Sequence, residues 1–248
     1  MKNFLKQRTS LVFISLSLLC ACGGGGANSG SPTGSSAATN YSFVIPQLNS
    51  QRIYTESIID NSSNTINLSY TDTVTAVNTN GTYVVLEADP NNNSTTVNGT
   101  TYAIQPDSIT LNNSGQPLSS LNNNTQIVCA TSPHGAGPTY PIAIGNTWSI
   151  NYAVTCGSNA STSYSQTGTV IDLESVTVPA GTYSSLKVQS TINFTDSNGT
   201  IHNQSFTTWR DANTGTVLKQ LVVYTFSGTP LTNGYPVTNT VVLQSGSP

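Results

Sequence analysis

The sequence from Tyr41 onward predicts an all-β protein built of antiparallel hairpins, arranged as one or more curved sheets. Three stretches alternate apolar and polar residues with the period of two that a half-buried strand requires; they are residues 66–71, 148–155 and 186–194. Asn-Gly pairs favour type I′ hairpin turns because both residues tolerate a positive φ, and they occupy positions 80–81, 98–99, 198–199 and 233–234. No window of this part has the apolar spacing of an amphipathic helix.

The composition excludes some partners. Charged residues make up 7% of the 248 residues, whereas ordinary soluble domains contain roughly 25%. From Cys22 onward only four basic residues stand against ten acidic ones, a net charge of −6; the basic residues are Arg52, Lys187, Arg210 and Lys219. Four scattered cations cannot form a basic patch, so nucleic acid is not expected as a partner.

Residues 1–21 are predicted to be a lipoprotein signal peptide. Lys2, Lys6 and Arg8 form a positive n-region, and the apolar run at 11–21 is too short to span a bilayer. The segment Leu-Cys-Ala-Cys at 19–22 resembles the processing box of bacterial lipoproteins. The resemblance implies that Cys22 receives the acyl chains, palmitate among them. The alternative is an ordinary signal peptide, whose removal leaves a soluble periplasmic protein.

Residues 22–40 are predicted to be the lipidated cysteine followed by a flexible Gly/Ser linker. Gly23, rather than Asp, follows Cys22. In the sorting scheme of bacterial lipoproteins this implies transport to the outer membrane. The sequence leaves open which side of that membrane the body faces.

Residues 41–130 and 131–248 are predicted to be two related β-meanders, the second ending in a C-terminal hairpin. Between positions 81 and 121, thirteen residues recur 100 positions later without a gap; the clearest segment is Gly81-Thr82-Tyr83, repeated as Gly181-Thr182-Tyr183. The gapless register favours a duplication. The alternative is that similar turns recur by chance in a chain rich in Asn and Thr. Whether the meanders form one sheet or two stays open.

Cys129 and Cys156 are predicted to form a disulfide, because they remain as an even pair in an exported chain. Such a bridge stabilises a fold by about 3–4 kcal/mol on the chain-entropy model. The alternative, a metal site, lacks neighbouring histidine ligands.

Three motifs carry a family resemblance over residues 140–226. Residues 145–152 are similar to the Gly-x-x-Trp-x-x-x-Tyr entry strand of many bacterial lipoproteins, and residues 178–183 are similar to their Val-Pro-Ala-Gly-Thr-Phe hairpin. Residues 209–219 resemble the Trp-x-Asp-x-x-Thr-Gly-x-x-Leu-Lys hairpin of the lipoprotein-carrier superfamily of LolA and LolB. The resemblance implies a strongly curved antiparallel sheet whose concave face takes an acyl chain. The chain departs from the carriers in lacking a helix to plug that face.

The residues offer little for catalysis. His134 and His202 are the only histidines; the first lies in a turn sequence and the second in a strand. Asp172 and Glu174 are two residues apart on a predicted strand, so both carboxylates lie on the same face, which we interpret as a solvent-exposed one. The run Asp211-x-Asn213-x-Gly215 resembles the start of a calcium loop but lacks the later bidentate Glu. We therefore expect no enzyme activity, no cofactor and no metal site.

Trp148 and Trp209 are expected to anchor the apolar face of the sheet, with a shared ligand cleft as the alternative. Two functions follow. The first is a non-catalytic envelope module that contacts a protein or glycan through exposed strand edges or loops. The second is a binder of an acyl chain or another small apolar ligand on the curved sheet. A pocket of about 300 Å³ lined by the tryptophans and aliphatic residues favours the second.

Overall fold

The computed structural model describes residues 16–17, 39–97, 99–135, 137–197, 199–227 and 235–246. Cys22, its lipidation and most of the predicted signal peptide and linker lie outside these residues. The strands in the described part are β1 (Leu16–Ser17), β2 (Gln51–Asp60), β3 (Thr65–Val77), β4 (Tyr83–Ala88), β5 (Ser94–Val97), β6 (Thr100–Ala103), β7 (Asp107–Leu111), β8 (Pro117–Asn122), β9 (Ile127–Ser132), β10 (Gly137–Pro138), β11 (Thr147–Cys156), β12 (Thr162–Val178), β13 (Gly181–Thr195), β14 (Ile201–Asp211), β15 (Val217–Ser227) and β16 (Pro236–Gly246).

Twelve of these strands close into one antiparallel barrel, in the order β11-β12-β13-β14-β15-β16-β2-β3-β4-β7-β8-β9. The predicted all-β, antiparallel fold is confirmed. The strands β5 and β6 form a separate hairpin, and β1 pairs with β10 in parallel. Closure pairs every barrel strand on both sides, which removes the free edges that a curved open sheet would present.

The barrel has two halves of six strands each. The first half contains β2, β3, β4, β7, β8 and β9, and the second contains β11 to β16. Gly81 and Gly181 stand in corresponding hairpins, β3–β4 and β12–β13, and Gly115 and Gly215 stand in the turns after β7 and β14. The repeat boundary at 130/131 falls inside β9, so the division of the chain into two meanders stays a prediction.

The N-terminal segment 41–50 crosses one end of the barrel, which we call the base. Tyr41 bridges Ile142, and the Val44 N–H donates to the Thr214 carbonyl over 3.0 Å. The ring of Phe43 lies against both turn glycines, Gly115 and Gly215. A Cβ added at Gly115 or Gly215 would come within 2.8 Å or 2.7 Å of the ring, respectively. Both glycines also have a positive φ, 75° and 79°. Glycine is therefore favoured at these positions for two reasons: the left-handed backbone conformation and the absence of a Cβ that would collide with Phe43.

The opposite end of the barrel, the top, is covered on one side by the β5–β6 hairpin. Tyr102 and Ile104 belong to the same buried cluster as Ile58, Ile66 and Leu68 of the first half. This cluster explains why the chain leaves the barrel between β4 and β7: the excursion brings apolar side chains to the upper part of the core.

Cys129 of β9 and Cys156 of β11 face each other in register and are joined by a disulfide. The predicted bridge is therefore present, and it links the last strand of the first half to the first strand of the second.

Among the residues that the structure describes, no helix is long and apolar enough to cross a membrane.

Candidate functional site

Twelve uncharged polar side chains cover the outer face of β11–β14. Their positions follow from strand alternation: in β11 to β14 the inward residues are largely buried, and their sequence neighbours point outward. Cross-strand register aligns the outward residues in three rows, Thr147–Thr169–Gln189–Thr207, Ser149–Thr167–Thr191–Ser205 and Asn151–Ser165–Asn193–Asn203. All twelve are exposed or half-buried. We call this surface the hydroxyl–amide face.

A hollow of about 520 Å³ lies in this face. Its lining comprises Thr147, Trp148, Thr167, Gly168, Thr169, Gln189, Ser190, Thr191, Ser205, Phe206 and Thr207. The middle row, Trp148–Gly168–Ser190–Phe206, points its side chains into the barrel and supplies the floor, while its outward neighbours supply the walls. The walls therefore present hydroxyl and amide groups, and no described lining residue is charged.

A charged cluster borders the hollow toward the base. The Nε1–H of Trp209 donates to Glu174 Oε1, and Lys187 Nζ lies 3.7 Å from the other oxygen of that carboxylate. The ammonium groups of Lys187 and Lys219 lie 5.6 Å and 5.1 Å from the centre of the Trp209 ring. Glu174, which the sequence suggested as half of a solvated carboxylate pair, thus holds a tryptophan and a lysine. Asp172 is exposed, and its carboxylate accepts a hydrogen bond from the Leu173 N–H.

Trp148 and Trp209 lie on opposite faces of the barrel wall. Trp148 belongs to the inward-pointing cross-strand row that continues through Gly168 and Ser190 to Phe206. Trp209 is three residues beyond Phe206 on β14, so its side chain points outward. The Trp148 side chain covers Gly168 so closely that any Cβ there would collide with the indole. The two tryptophans therefore do not line one cleft, because three residues along a strand place side chains on opposite faces.

Near the base, the described part of the barrel interior offers little room for a ligand of the predicted kind. Four buried apolar clusters fill much of the described barrel. The inner cavity near the base has a volume of about 60 Å³, far below the roughly 300 Å³ of ordinary ligand pockets. The concave face of the sheet is thus turned into a packed core, since closure brings a second wall of side chains against it.

A ladder of aromatic rings crosses the inner face near the top. Tyr152, Tyr164, Phe194, His202 and Phe226 stand directly opposite one another on β11 to β15, with successive centroids 4.3 to 5.1 Å apart. Burial raises the pKa of the Tyr164 hydroxyl to about 12, so this ring stays neutral. The ladder was not predicted from the sequence. Its signal was present: each of these aromatic residues stands at an inward position near the top of its strand.

The two histidines lie at opposite ends of the barrel. His202 is buried in the aromatic ladder, with Nε2 3.1 Å from Asp196 Oδ2. His134 is at the base and is half-buried, and its Nδ1 lies 3.4 Å from the Gly135 carbonyl oxygen. The two imidazoles therefore contact different residues. Because they lie at opposite ends of the barrel, they cannot act together on one substrate.

The Asp211 run is a turn. The carboxylate of Asp211 accepts hydrogen bonds from the backbone N–H groups of Asn213 and Thr214 over 2.6 Å and 3.0 Å. In the described part of the chain, no three His, Cys, Asp or Glu side chains come together as possible metal ligands.

Comparisons with known proteins give similarities of overall shape. No family model matches the sequence, and no curated protein matches it. A protein from Bacteroides fragilis, described as exported and as having a YmcC-like fold, has a TM-score of 0.46 at 12% identity, over 85% of this chain and 100% of its own. The hypothetical lipoprotein YmcC of Escherichia coli has a TM-score of 0.41 at 12% identity, over 79% and 85%.

A protein from Parabacteroides distasonis, described as a lipoprotein, has a TM-score of 0.43 at 14% identity, over 84% of this chain and 100% of its own. The relation to the LolA and LolB carriers stays a prediction.

Proposed function

We propose that this chain is a non-catalytic lipoprotein of the bacterial outer membrane whose hydroxyl–amide face binds a neutral, hydroxyl-rich glycan. The observation that carries the proposal is the chemistry of the 520 Å³ hollow, whose walls are hydroxyl and amide side chains. Such groups both donate and accept hydrogen bonds, as sugar hydroxyls do. A protein partner is less well matched, because protein interfaces usually have an apolar or aromatic centre.

The rigidity of the face supports binding. Threonine is branched at Cβ and has a restricted χ1, and here four neighbouring strands hold five threonines around one hollow. Little side-chain entropy is lost when such residues become immobilised by a ligand. Charge also selects the partner, since a face without charged groups offers no ion pair to an acidic polymer and no compensation for desolvating it.

The closed barrel changes how the interaction module works. From the sequence, contacts were expected through exposed strand edges or loops, and barrel closure leaves the edges of the barrel strands paired. A broad outer face replaces them. Binding then depends on side chains that stand on the strands, which is the more rigid arrangement.

The test uses the full-length lipidated protein in mild detergent, titrated with neutral oligosaccharides of glucose, mannose or galactose and, as a charged comparison, with oligogalacturonate. We expect binding of at least one neutral sugar. Thr167 and Thr191 face each other across β12 and β13. Replacing both by Val removes two hydroxyls, keeps the strand shape and should weaken binding about tenfold. The matched control is Thr71→Val on the outer face of β3, which should leave the affinity unchanged.

Three outcomes contradict this proposal. They are the absence of binding to every neutral sugar, a preference for oligogalacturonate, and equal affinity of the double variant and the wild type.

The anchor has its own test. Cys22→Ala should move the protein from the outer-membrane fraction to the soluble fraction, because the acyl chains supply most of its membrane affinity. Cys20→Ala is the matched control and should leave the fractionation as it is. A Cys22→Ala protein that still sediments with outer membranes contradicts the anchor.

The acyl-chain alternative is weakened by the 60 Å³ interior cavity and by the polar walls of the hollow. Mass spectrometry of protein purified without added lipid distinguishes the two functions. We expect the covalently attached acyl groups alone, and a stoichiometric, non-covalent fatty acid would favour the alternative.

A further inference from the structure

The N-terminal segment 41–50 has one side on the barrel and one side free. Tyr41 and Phe43 pack against buried clusters of the two halves. Val44, which follows Phe43, is 50% exposed, and Leu48, in the turn that leads into β2, is 54% exposed. Because this segment crosses the lower end of the barrel, its exposed apolar side chains lie on the outside of the base.

Two more exposed apolar residues lie at the base beside this segment. Ile144 lies in the loop whose residue 142 bridges Tyr41 and is 48% exposed. Val77 ends β3 and is 43% exposed, and the Val74 carbonyl of the same strand accepts a hydrogen bond from the Asn49 N–H. The four exposed side chains are therefore spread along the path of the segment. We call them the apolar base; they are Val44, Leu48, Val77 and Ile144.

The segments that close the base contain no Lys, Arg, Asp or Glu. They are residues 41–50, 78–82, 112–116, 133–135, 137–146 and 212–216. Amides form the turn hydrogen bonds here: the side-chain oxygens of Asn80 and Asn112 accept backbone N–H groups. Asp211, the residue before the last of these segments, is buried. The apolar base therefore has no exposed carboxylate or ammonium group in the segments around it.

The top of the barrel has a different chemistry. The carboxylates of Asp60, Asp89 and Asp196 accept backbone N–H groups in three of its turns. Ionised carboxylates are costly to move from water toward hydrocarbon, and anionic lipids repel them. A lipid surface would therefore accept the base more readily than the top.

The path of the chain also favours the base. The proposed anchor, Cys22, is joined to the base through residues 22–40, which lead into Tyr41. A Gly/Ser-rich chain of this length has an average end-to-end distance of about 20–25 Å. The barrel wall is longer, since a strand of 11 residues such as β14 extends over about 35 Å. With the top toward the lipid, this linker would have to run past the whole wall.

The tether makes a weak contact sufficient. It holds the apolar base near the lipid at an effective concentration on the order of millimolar. Stable attachment to a membrane commonly combines an acyl anchor with a second, weaker signal. Apolar side chains that enter the boundary between headgroups and acyl chains supply a signal of that kind.

We propose that the apolar base docks on the phospholipid leaflet that holds the anchor, so that the barrel stands on the membrane with its top pointing away. The inference rests on the lipid anchor of the proposed function and is independent of the glycan specificity. In this orientation the hydroxyl–amide face, which lies on the outer wall, faces sideways and stays open to a glycan.

The test uses the full-length lipidated protein in vesicles of phosphatidylethanolamine and phosphatidylglycerol, with the fluorophore NBD on one added cysteine. Cys22 is acylated on the proposed processing and Cys129 is bridged to Cys156, so the added thiol alone reacts. Labels at Leu48→Cys and Ile144→Cys should shift their emission to shorter wavelength. Brominated acyl chains should quench about half of that emission, because interfacial side chains lie about 5–10 Å deep.

The matched controls are Ile59→Cys and Ile201→Cys at the top. These residues are also apolar and exposed, by 42% and 51%, so the label adds the same bulk in a similar setting. Neither label should shift or be quenched. Equal quenching at base and top, or none at the base, overturns the proposal.

A second variant tests the side chains of the apolar base themselves. Val44→Asn combined with Leu48→Asn should reduce the quenching of the label at Ile144→Cys by about half, because two apolar groups no longer favour the interface. The control combines Ile59→Asn with Ile201→Asn and should keep the quenching. Undiminished quenching in the first variant overturns the proposal.

Flotation of the vesicles in a density gradient separates this proposal from the anchor. Protein that floats while its base labels stay unquenched overturns the docking and leaves the anchor in place. Protein that does not float overturns both. A shift of the base labels without quenching by brominated lipid shows a protein contact, such as a second copy of the chain, and overturns the assignment to lipid.

Discussion

The first and second halves of the barrel differ most clearly at the top. In the first half β4 ends at Ala88 and β7 begins at Asp107, and the chain between them folds the β5–β6 hairpin over the core. In the second half, β13 continues to Thr195 and β14 begins at Ile201, so both strands reach the top of the barrel. Their inward residues there belong to the aromatic ladder. The first half covers its core with an excursion, whereas the second covers it with rings on unbroken strands.

The same contrast recurs in the lower core. Tyr54 and Tyr70 face each other across β2 and β3 with ring centroids 5.4 Å apart, whereas Trp148 faces Gly168 across β11 and β12. Two medium rings and one large ring over a glycine are alternative ways to fill a cross-strand pair. Corresponding turns in the two halves therefore constrain the path of the chain, whereas the side chains that fill the core between paired strands differ.

The two seams between the halves also differ. β9 pairs with β11 only over Ala153–Cys156, and the disulfide lies at that seam. β16 pairs with β2 from Pro236 to Gly246 and carries side-chain hydrogen bonds instead, such as Asn239 to Glu56. The covalent bond stands where the backbone ladder is short.

The largest effect is expected from Gly168→Leu, which breaks the tryptophan-over-glycine arrangement of the second half. The Trp148 indole must leave its place, so the loss resembles removal of a buried tryptophan, about 4 kcal/mol in the free energy of unfolding. The matched control is Gly199→Ala, where no atom lies within 4 Å of the new Cβ and only the φ of 80° is unfavourable, at about 1 kcal/mol. Urea denaturation measures both, and equal losses would show that Trp148 is free to move.

Next in size is the seam bridge. Replacing Cys129 and Cys156 together by Ala should lower the free energy of unfolding by about 3 kcal/mol, because the bridge closes a separation of 27 residues in the unfolded chain. At the other seam, Gln244→Ala removes a hydrogen bond to Thr55 and should cost about 1 kcal/mol. A smaller loss from the cysteine pair than from Gln244→Ala would contradict the idea that the short seam depends on its bridge.

A third prediction concerns pH and the first half. Because burial raises the pKa of Asp72 to about 7, the folded state holds a proton that the unfolded state releases near pH 4. The unfolded state therefore binds fewer protons between pH 4 and 7, and stability should fall as the pH rises through this range.

Asp72→Asn should remove on the order of 2 kcal/mol of this fall, measured by urea denaturation at pH 4.5 and 7.5. Asp107, whose pKa burial raises to about 6, contributes a remaining slope. Asp172→Asn on the exposed surface of β12 is the matched control and should leave the slope unchanged. A slope that survives Asp72→Asn undiminished would place the proton elsewhere.

The smallest effect tests the ladder. Tyr152 and Tyr164 are stacked with centroids 5.1 Å apart and an interplanar angle of 6°. A double-mutant cycle with Leu at both positions should give a coupling of about 1 kcal/mol. The control cycle pairs Tyr152 with Tyr41 at the base and should give none. Equal coupling energies in the two cycles would show that the stacked rings stabilise the fold only through burial.

Much of the strand pattern could be predicted from the sequence. The alternating stretches at 66–71, 148–155 and 186–194 all lie in strands, β3, β11 and β13. The turn at Asn80-Gly81 lies between β3 and β4 as expected, while Asn233-Gly234 falls outside the described residues. These features are local, since alternation and positive φ depend on a residue and its near neighbours.

The candidate site could be predicted only in part. The abundance of Ser, Thr and Asn suggested a polar exterior, and the cysteine pair suggested the bridge. The hollow was not predictable, because it needs outward residues of four strands in register, from Thr147 to Thr207. Arg210 was equally hidden: arginine is normally an exposed residue, and only the barrel places this one on an inward row.

The strands, the turns and the disulfide-forming pair can be inferred from the sequence, because each of these arises from short-range preferences or from residue chemistry. Closure of the sheet is visible only in the folded chain, where β16 pairs with β2 across most of the sequence. Closure then decided which face of each barrel strand is core and where an arginine is buried. These are consequences of long-range register, and no local segment contains that information.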